Sequence, residues 1–222
     1  MPARLRPTAP IAADAVLVGD PGRALLLAQE LLVEPKMSNH ARGLWGYSGL
    51  TPGGRELTIQ STGMGGPSAA VVLADLAKLG TKRVVRIGTC AALDPALAPG
   101  DLLIVEHAEA AGGSGRAFGI GSGEVVAPDP ALTDSLKREL ADAPTVTIAS
   151  FDVHDEHEAP PAGAMAADMQ TATILARARQ LKIAAAGVLV VERSAVGERV
   201  ADEVLEAVAR RAGAAASGIL ST

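Results

Sequence analysis

Aromatic side chains are nearly absent from this sequence: one Trp, one Tyr and two Phe make up 2% of 222 residues, although 48% of the chain is hydrophobic. A core without large rings has to be built from Ala, Val, Leu and Ile, as in buried sheets covered by small-residue helices. Cysteine is represented by Cys90 alone, which excludes an intrachain disulfide and fits a reducing compartment. There is no Lys/Arg-rich run, and 20 basic against 25 acidic residues leave a net charge of -5, so no broad nucleic-acid footprint is expected. An anionic ligand would need a few well-placed arginines instead. Residues 1–13 hold Arg4, Arg6 and prolines but no apolar h-region, so no secretory signal is read there. No apolar run approaches the ~20 residues of a membrane-spanning helix. The expectation is a soluble, cytoplasmic protein with neither nucleic-acid nor membrane partners.

What is present alternates between strand and helix patterns. The length suits one domain, 1–222, and neither an internal repeat nor a linker interrupts it. Val16, Leu17 and Val18 form a short strand, followed by a helix over 22–33 with Asp20 as N-cap and Pro21 at its first position. Strands are predicted over 44–50 and 56–61, joined as a hairpin by Thr51-Pro52-Gly53-Gly54. Further helices fall over 67–79, 131–140, 167–180 and 200–212, the first of these ended by Gly80. Further strands fall over 84–87, 101–105, 146–149 and 184–191, the last continuously apolar. Residues 150–163, acidic and Pro-rich, read as a surface loop. The predicted class is α/β: a mixed, largely buried sheet flanked by helices in a single domain.

Four places can carry chemistry. In Gly19-Asp20-Pro21-Gly22-Arg23 a glycine turn after a buried strand presents backbone N–H groups at a helix start, an anion site that Arg23 could complete. The plain alternative is a capped turn with a surface arginine. Arg86 lies at the end of a buried strand, where a charge needs an anion or an acid such as Asp101 beside it. The turn Ser61-Thr62-Gly63-Met64-Gly65-Gly66 permits close backbone approach to a ligand, or is simply tight. Asp168-Met169-Gln170 sets polar groups at the start of an Ala-rich helix, where Asp168 would in any case suit the helix dipole.

The order of these stretches resembles the nucleoside phosphorylase family that includes the hexameric purine nucleoside phosphorylases and the uridine phosphorylases. The matching segments are GDPGRA (19–24), NHARG (39–43), STGMGGPSAAVVLADLAKLG (61–80), VRIGTCAAL (85–93), PGDLLIV (99–105) and ADMQTATILA (167–176). The resemblance implies a pentosyltransferase that cleaves a ribonucleoside with inorganic phosphate to free base and ribose 1-phosphate. It implies no cofactor and no metal, phosphate being a co-substrate. By similarity, Gly19, Arg23, Arg86 and Thr89 would hold phosphate, with Arg42 reaching in from a neighbouring subunit. That makes the expected assembly a dimer-based homo-oligomer, up to a hexamer. Ribose would rest on Met64 and on Asp168, Met169 and Gln170, where the family has Glu-Met-Glu.

The base would meet Cys90, Ala91, His154 and Arg193, with Arg193, Glu192 and Arg86 as the catalytic set. Ala91 replaces a family glycine and narrows that end. Purine enzymes of the family stabilise the leaving base with an aspartate near 192–194. Here the chain reads Glu192-Arg193, and an arginine resembles the uridine phosphorylases. That leans the reading to uridine-like substrates, with Glu192 turned away from Arg193 if the strand continues. The loop 150–158 lacks the glutamine and arginine with which uridine enzymes read uracil, and His157 reads as a solvated residue. Three alternatives stay open: a purine phosphorylase using Glu192, a hydrolytic nucleosidase, and a homologue that binds nucleoside without turnover. Keeping Arg23, Arg42 and Arg86 disfavours hydrolysis.

Overall fold

β1 (Asp14–Val18) is buried along its whole length: both of its edges are paired, and Ala15 and Leu17 join one core while Val16 and Val18 join the other. In the computed structural model, which describes residues 4–121, 123–153 and 161–221, it pairs in parallel with β4 (Glu56–Ser61) and with β5 (Arg83–Ala92). Outward from β4 the sheet continues antiparallel through β3 (Gly46–Leu50) to the edge strand β2 (Val33–Asn39). On the other side the strands close on themselves. β5 runs parallel to β10 (Ala184–Arg193), which is antiparallel to β6 (Leu102–Ala110). β6 is parallel to β8 (Thr145–Ser150), β8 to β9 (Ala166–Asp168), and β9 returns antiparallel to β5. A short β7 (Val125–Val126) pairs with β6. Five strands thus form a ring, and β1, β4, β3 and β2 extend from β5 as an arm.

Helices cover both faces, so the buried strands are apolar on both sides. α2 (Gly65–Lys78), the short α3 (Gly113–Arg116) and α5 (Thr171–Leu181) pack on one face with Leu73, Leu76, Ile174, Leu103 and Leu189. α1 (Pro21–Leu31), α4 (Pro130–Glu139) and α6 (Asp202–Leu220) pack on the other with Leu27, Leu136, Val16, Ile87 and Val188. β5 shows the alternation that this demands: Val84, Cys90 and Ala92 join the first core, Val85 and Ile87 the second. The architecture is the mixed, helix-flanked α/β sheet read from the sequence.

Several boundaries differ, each for a physical reason. β2 has no counterpart among the predicted elements; it carries Pro35 and two register irregularities on an exposed edge, which erase the alternating pattern. The helix predicted over 167–180 begins only at Thr171, and Ala167 and Asp168 belong to β9 instead. Alanine favours helix locally, but pairing with β5 and β8 on both sides overrides it. α6 runs on to Leu220, past Gly213. That glycine is no terminator: a Cβ there would come within 2.8 Å of Leu27, so its bareness lets α6 lie close on α1. Among the described residues no helix is long and apolar enough to cross a membrane.

Candidate active site

The parallel strands β1, β5 and β10 end on one side, and a cavity of about 710 Å³ opens beyond them. Crevices at the carboxyl ends of parallel strands are where open α/β sheets bind ligands. Gly19, Arg23, Met64, Arg86, Thr89, Cys90, Ala91, Asp168, Met169, Gln170, Glu192 and Arg193 all line it. Of the residues predicted for the site, Arg42 is exposed on a turn outside this lining, with a positive φ of 63°. His154 lies outside the described residues, as does His157.

Local rules build the first wall. Asp20 caps α1, its carboxylate accepting from the Arg23 N–H at 2.6 Å, and Pro21 opens the helix. This presents Arg23 to the cavity one turn into α1. Burial pulls the Arg23 guanidinium below its ordinary value; Asp20 opposes that shift, the like charge of Arg86 reinforces it, and Glu192 opposes it. Two guanidiniums that repel each other beside a glycine turn make a place where an anion is stabilising.

Arg86 is 4% exposed and is held from three directions. Its Nη2 donates to Asp168 Oδ2 at 2.9 Å, its Nη1 to Gln170 Oε1 at 2.7 Å and its Nε to Thr171 Oγ1 at 2.9 Å. The ion-pair partner is Asp168, not Asp101, which instead accepts from the Ala98 N–H. Gly88 makes room for this geometry: a Cβ there would stand 2.5 Å from Arg86 Nη2. Asp168 in turn accepts from the Ser150 hydroxyl at 2.5 Å, the Thr171 hydroxyl at 2.6 Å and the Thr171 N–H. A buried pair of this kind is tolerable only because its remaining polar atoms are also satisfied.

The far wall departs from simple strand geometry. β10 and β5 stay in register to Val191 opposite Cys90, but Arg193, not Glu192, stands opposite Ala91. Glu192 is therefore the extra residue of a β-bulge, which re-aims the side chains around it. Glu192 and Arg193 both line the cavity, so the alternation predicted to turn Glu192 away is broken. Arg199, which no sequence signal singled out, folds back across this wall: it bridges to Arg193 as a strand partner and meets Glu192 at 3.2 Å. The turn that returns it contains Gly197 at φ 91°. At the floor, Cys90 is 5% exposed, and burial pushes its thiol up, Asp168 and Glu192 adding to that and Arg86 opposing it. Met64, at 82% exposure, stands at the rim with its side chain in solvent. Among the described residues no three His, Cys, Asp or Glu side chains gather as a metal-ligand set.

The sequence profile of the phosphorylase superfamily matches residues 14–222, and the chain belongs to that superfamily. Among curated relatives, the DeoD-type purine nucleoside phosphorylase of Caldanaerobacter subterraneus subsp. tengcongensis is 39% identical over 99 residues, 44% of this chain and 42% of that protein. The DeoD-type enzyme of Oceanobacillus iheyensis is 37% identical over 99 residues, again 44% and 42%. The matched region thus spans less than half of these relatives. In three dimensions, uridine phosphorylase from Vibrio fischeri ES114 superposes with a TM-score of 0.84 at 21% identity, covering 95% of this chain and 92% of that one. Purine nucleoside phosphorylase from Toxoplasma gondii, in complex with immucillin-H, gives 0.83 at 19% identity, with the same coverages. These likenesses establish the fold.

Proposed function

We propose that this chain is a nucleoside phosphorylase, a pentosyltransferase that uses inorganic phosphate to displace the base of a ribonucleoside and needs no cofactor. The observation that carries the reading is the convergence of Arg23 and Arg86 on one cavity that Gly19 and Thr89 also line. Phosphate held there attacks the anomeric carbon as the N-glycosidic bond breaks, and the base departs with the bonding electron pair. The negative phosphate also stabilises the positive charge that develops on the sugar. Met169 and Met64 offer apolar contact to the ribose, while Cys90 and Ala91 shape the base end. Superfamily membership, with relatives named purine and uridine phosphorylases, supports the reading.

Arg193 is our choice for stabilising the departing base. A guanidinium is always protonated and only donates, so it suits a carbonyl of a uracil-like leaving group. A purine reading is favoured by one observation: the bulge brings Glu192 to the same wall. Its carboxylate is engaged by Arg199, which weighs against its acting as an acid. Arg42 would complete the phosphate site of an adjacent copy in a homo-oligomer, and the reaction is assigned to the cytoplasm.

The test is a panel of uridine, inosine and adenosine incubated with and without phosphate, with free base as the readout. Phosphate-dependent release supports the proposal; release at equal rates in both buffers overturns it.

A further inference from the structure

Three non-glycine residues among those described have a positive φ. Lys182 is the left-handed cap that ends α5, and Glu34 sits at an irregularity of the edge strand β2. Arg42, at φ 63° and ψ 20°, lies instead in the short turn Ala41–Gly43 between β2 and β3, with Gly43 following at φ 72°. A long side chain keeps such a backbone only where its surroundings hold it there. Two fully buried carboxamides do so, Asn39 at the end of β2 and Gln60 in β4. Asn39 Nδ2 donates to Leu44 O and reaches Ala41 O at 3.4 Å, while Gln60 Nε2 donates to Leu44 O at 2.9 Å. Asn39 Oδ1 accepts from the Arg6 N–H at 2.8 Å, which fixes which way round its amide sits. The Arg42 side chain itself is exposed, and no hydrogen bond or ion pair to a described residue engages it.

We infer that Asn39 is a positioning residue: it holds Arg42 in its left-handed turn and so sets how well that guanidinium meets phosphate in an adjacent copy. The assignment rests on the phosphorolysis reading above and on the place of Arg42 in it. A turn fixed from inside the protein aims the guanidinium before the anion arrives, so less freedom is lost on binding. Without the Asn39 amide, Gln60 still donates to Leu44 O, but the tie between the Arg6 backbone and the turn is gone. Arg42 can then return to ordinary backbone angles, which swings its side chain elsewhere. Asn39 acts on phosphate only through Arg42, so its effect vanishes when Arg42 is absent.

The experiment is a double-mutant cycle of Asn39→Ala and Arg42→Ala on the assembled protein, with inorganic phosphate binding read by calorimetry. Asn39→Ala should raise the phosphate Kd about tenfold with Arg42 in place, and less than about twofold in the Arg42→Ala background. Gly43→Val is the second variant. A Cβ at Gly43 meets nothing within 4 Å, so the change disturbs only the left-handed turn, and it should weaken phosphate binding with the same dependence on Arg42. If Asn39→Ala does not fold, Gly43→Val decides alone. Folded variants that bind phosphate as the wild type does, or that lose affinity equally with and without Arg42, overturn the role given to Asn39. Arg42→Ala with unchanged phosphate affinity overturns the place of Arg42, and wild-type protein that binds no phosphate overturns the phosphorolysis reading itself; the role of Asn39 falls with either.

Discussion

Arg86 and Asp168 form an ion pair of 2.9 Å with both side chains almost wholly buried, joining the first half of β5 to the last residue of β9. Removing one member of such a pair strands the other charge in the interior. Arg86→Ala should therefore cost about 3–5 kcal/mol of stability as well as most of the activity. Arg86→Ala combined with Asp168→Asn should recover part of the stability and none of the phosphate affinity. Denaturant melts and phosphate titrations on the two variants check this. Equal stability of Arg86→Ala and wild type would show that the pair is not structural.

The bulge at Glu192 gives the base its second prediction. Arg193→Ala should lower uridine turnover by about 10²–10³, the usual effect of deleting one donor to a developing anion. Glu192→Gln should change it far less. A reversed ranking, with adenosine the preferred substrate, would move the leaving-group role to Glu192 and purines.

Asp152 supplies a pH dependence. Burial raises its carboxyl, but hydrogen bonds from the Ser114 hydroxyl and the N–H groups of Ser114 and Gly113 outweigh this and hold it below the usual carboxylate range, with Arg116 helping. A depressed acid contributes stability above its unfolded value of about 3.9, and that contribution is lost as pH falls through the folded one. The protection factors of the Gly113 and Ser114 amides, with the intrinsic pH dependence of exchange divided out, should therefore fall below about pH 4, and Asp152→Asn should show that loss already at neutral pH. Protection factors that change with neither pH nor the substitution would contradict this role of Asp152.

Arg42, exposed on its turn, should act across an interface. Arg42→Ala and Arg86→Ala homo-oligomers should both be nearly inactive. Mixed and reassembled, they should regain activity, because one site in the hybrid keeps its own Arg86 and its neighbour's Arg42. Hybrids that form and stay inactive would place Arg42 outside the site.

Local chemistry made much of this site legible in the sequence. Asp20 as cap, Pro21 at the helix start and Gly19 in the turn follow from neighbours one to three residues apart. The features that stayed hidden depend on distant partners. Nothing near Asp168 announces that β5 and β8 will draw it into a strand, and Asp101 looked as good a partner for Arg86. The Glu192 bulge is set by register against β5, not by the apolar run leading into it. Gln170 reads as a polar residue facing a ligand; that its NH2 donates to the carbonyls of Gly63 and Gly65, more than a hundred residues earlier, depends on the fold.

The most direct measurement follows the phosphorus. The protein is incubated with uridine and inorganic phosphate, and with inosine in parallel, under 31P NMR. Phosphorolysis predicts that a ribose 1-phosphate resonance grows in step with loss of inorganic phosphate and release of free base. Free base accompanied by unphosphorylated ribose, with the phosphate signal unchanged, would contradict it.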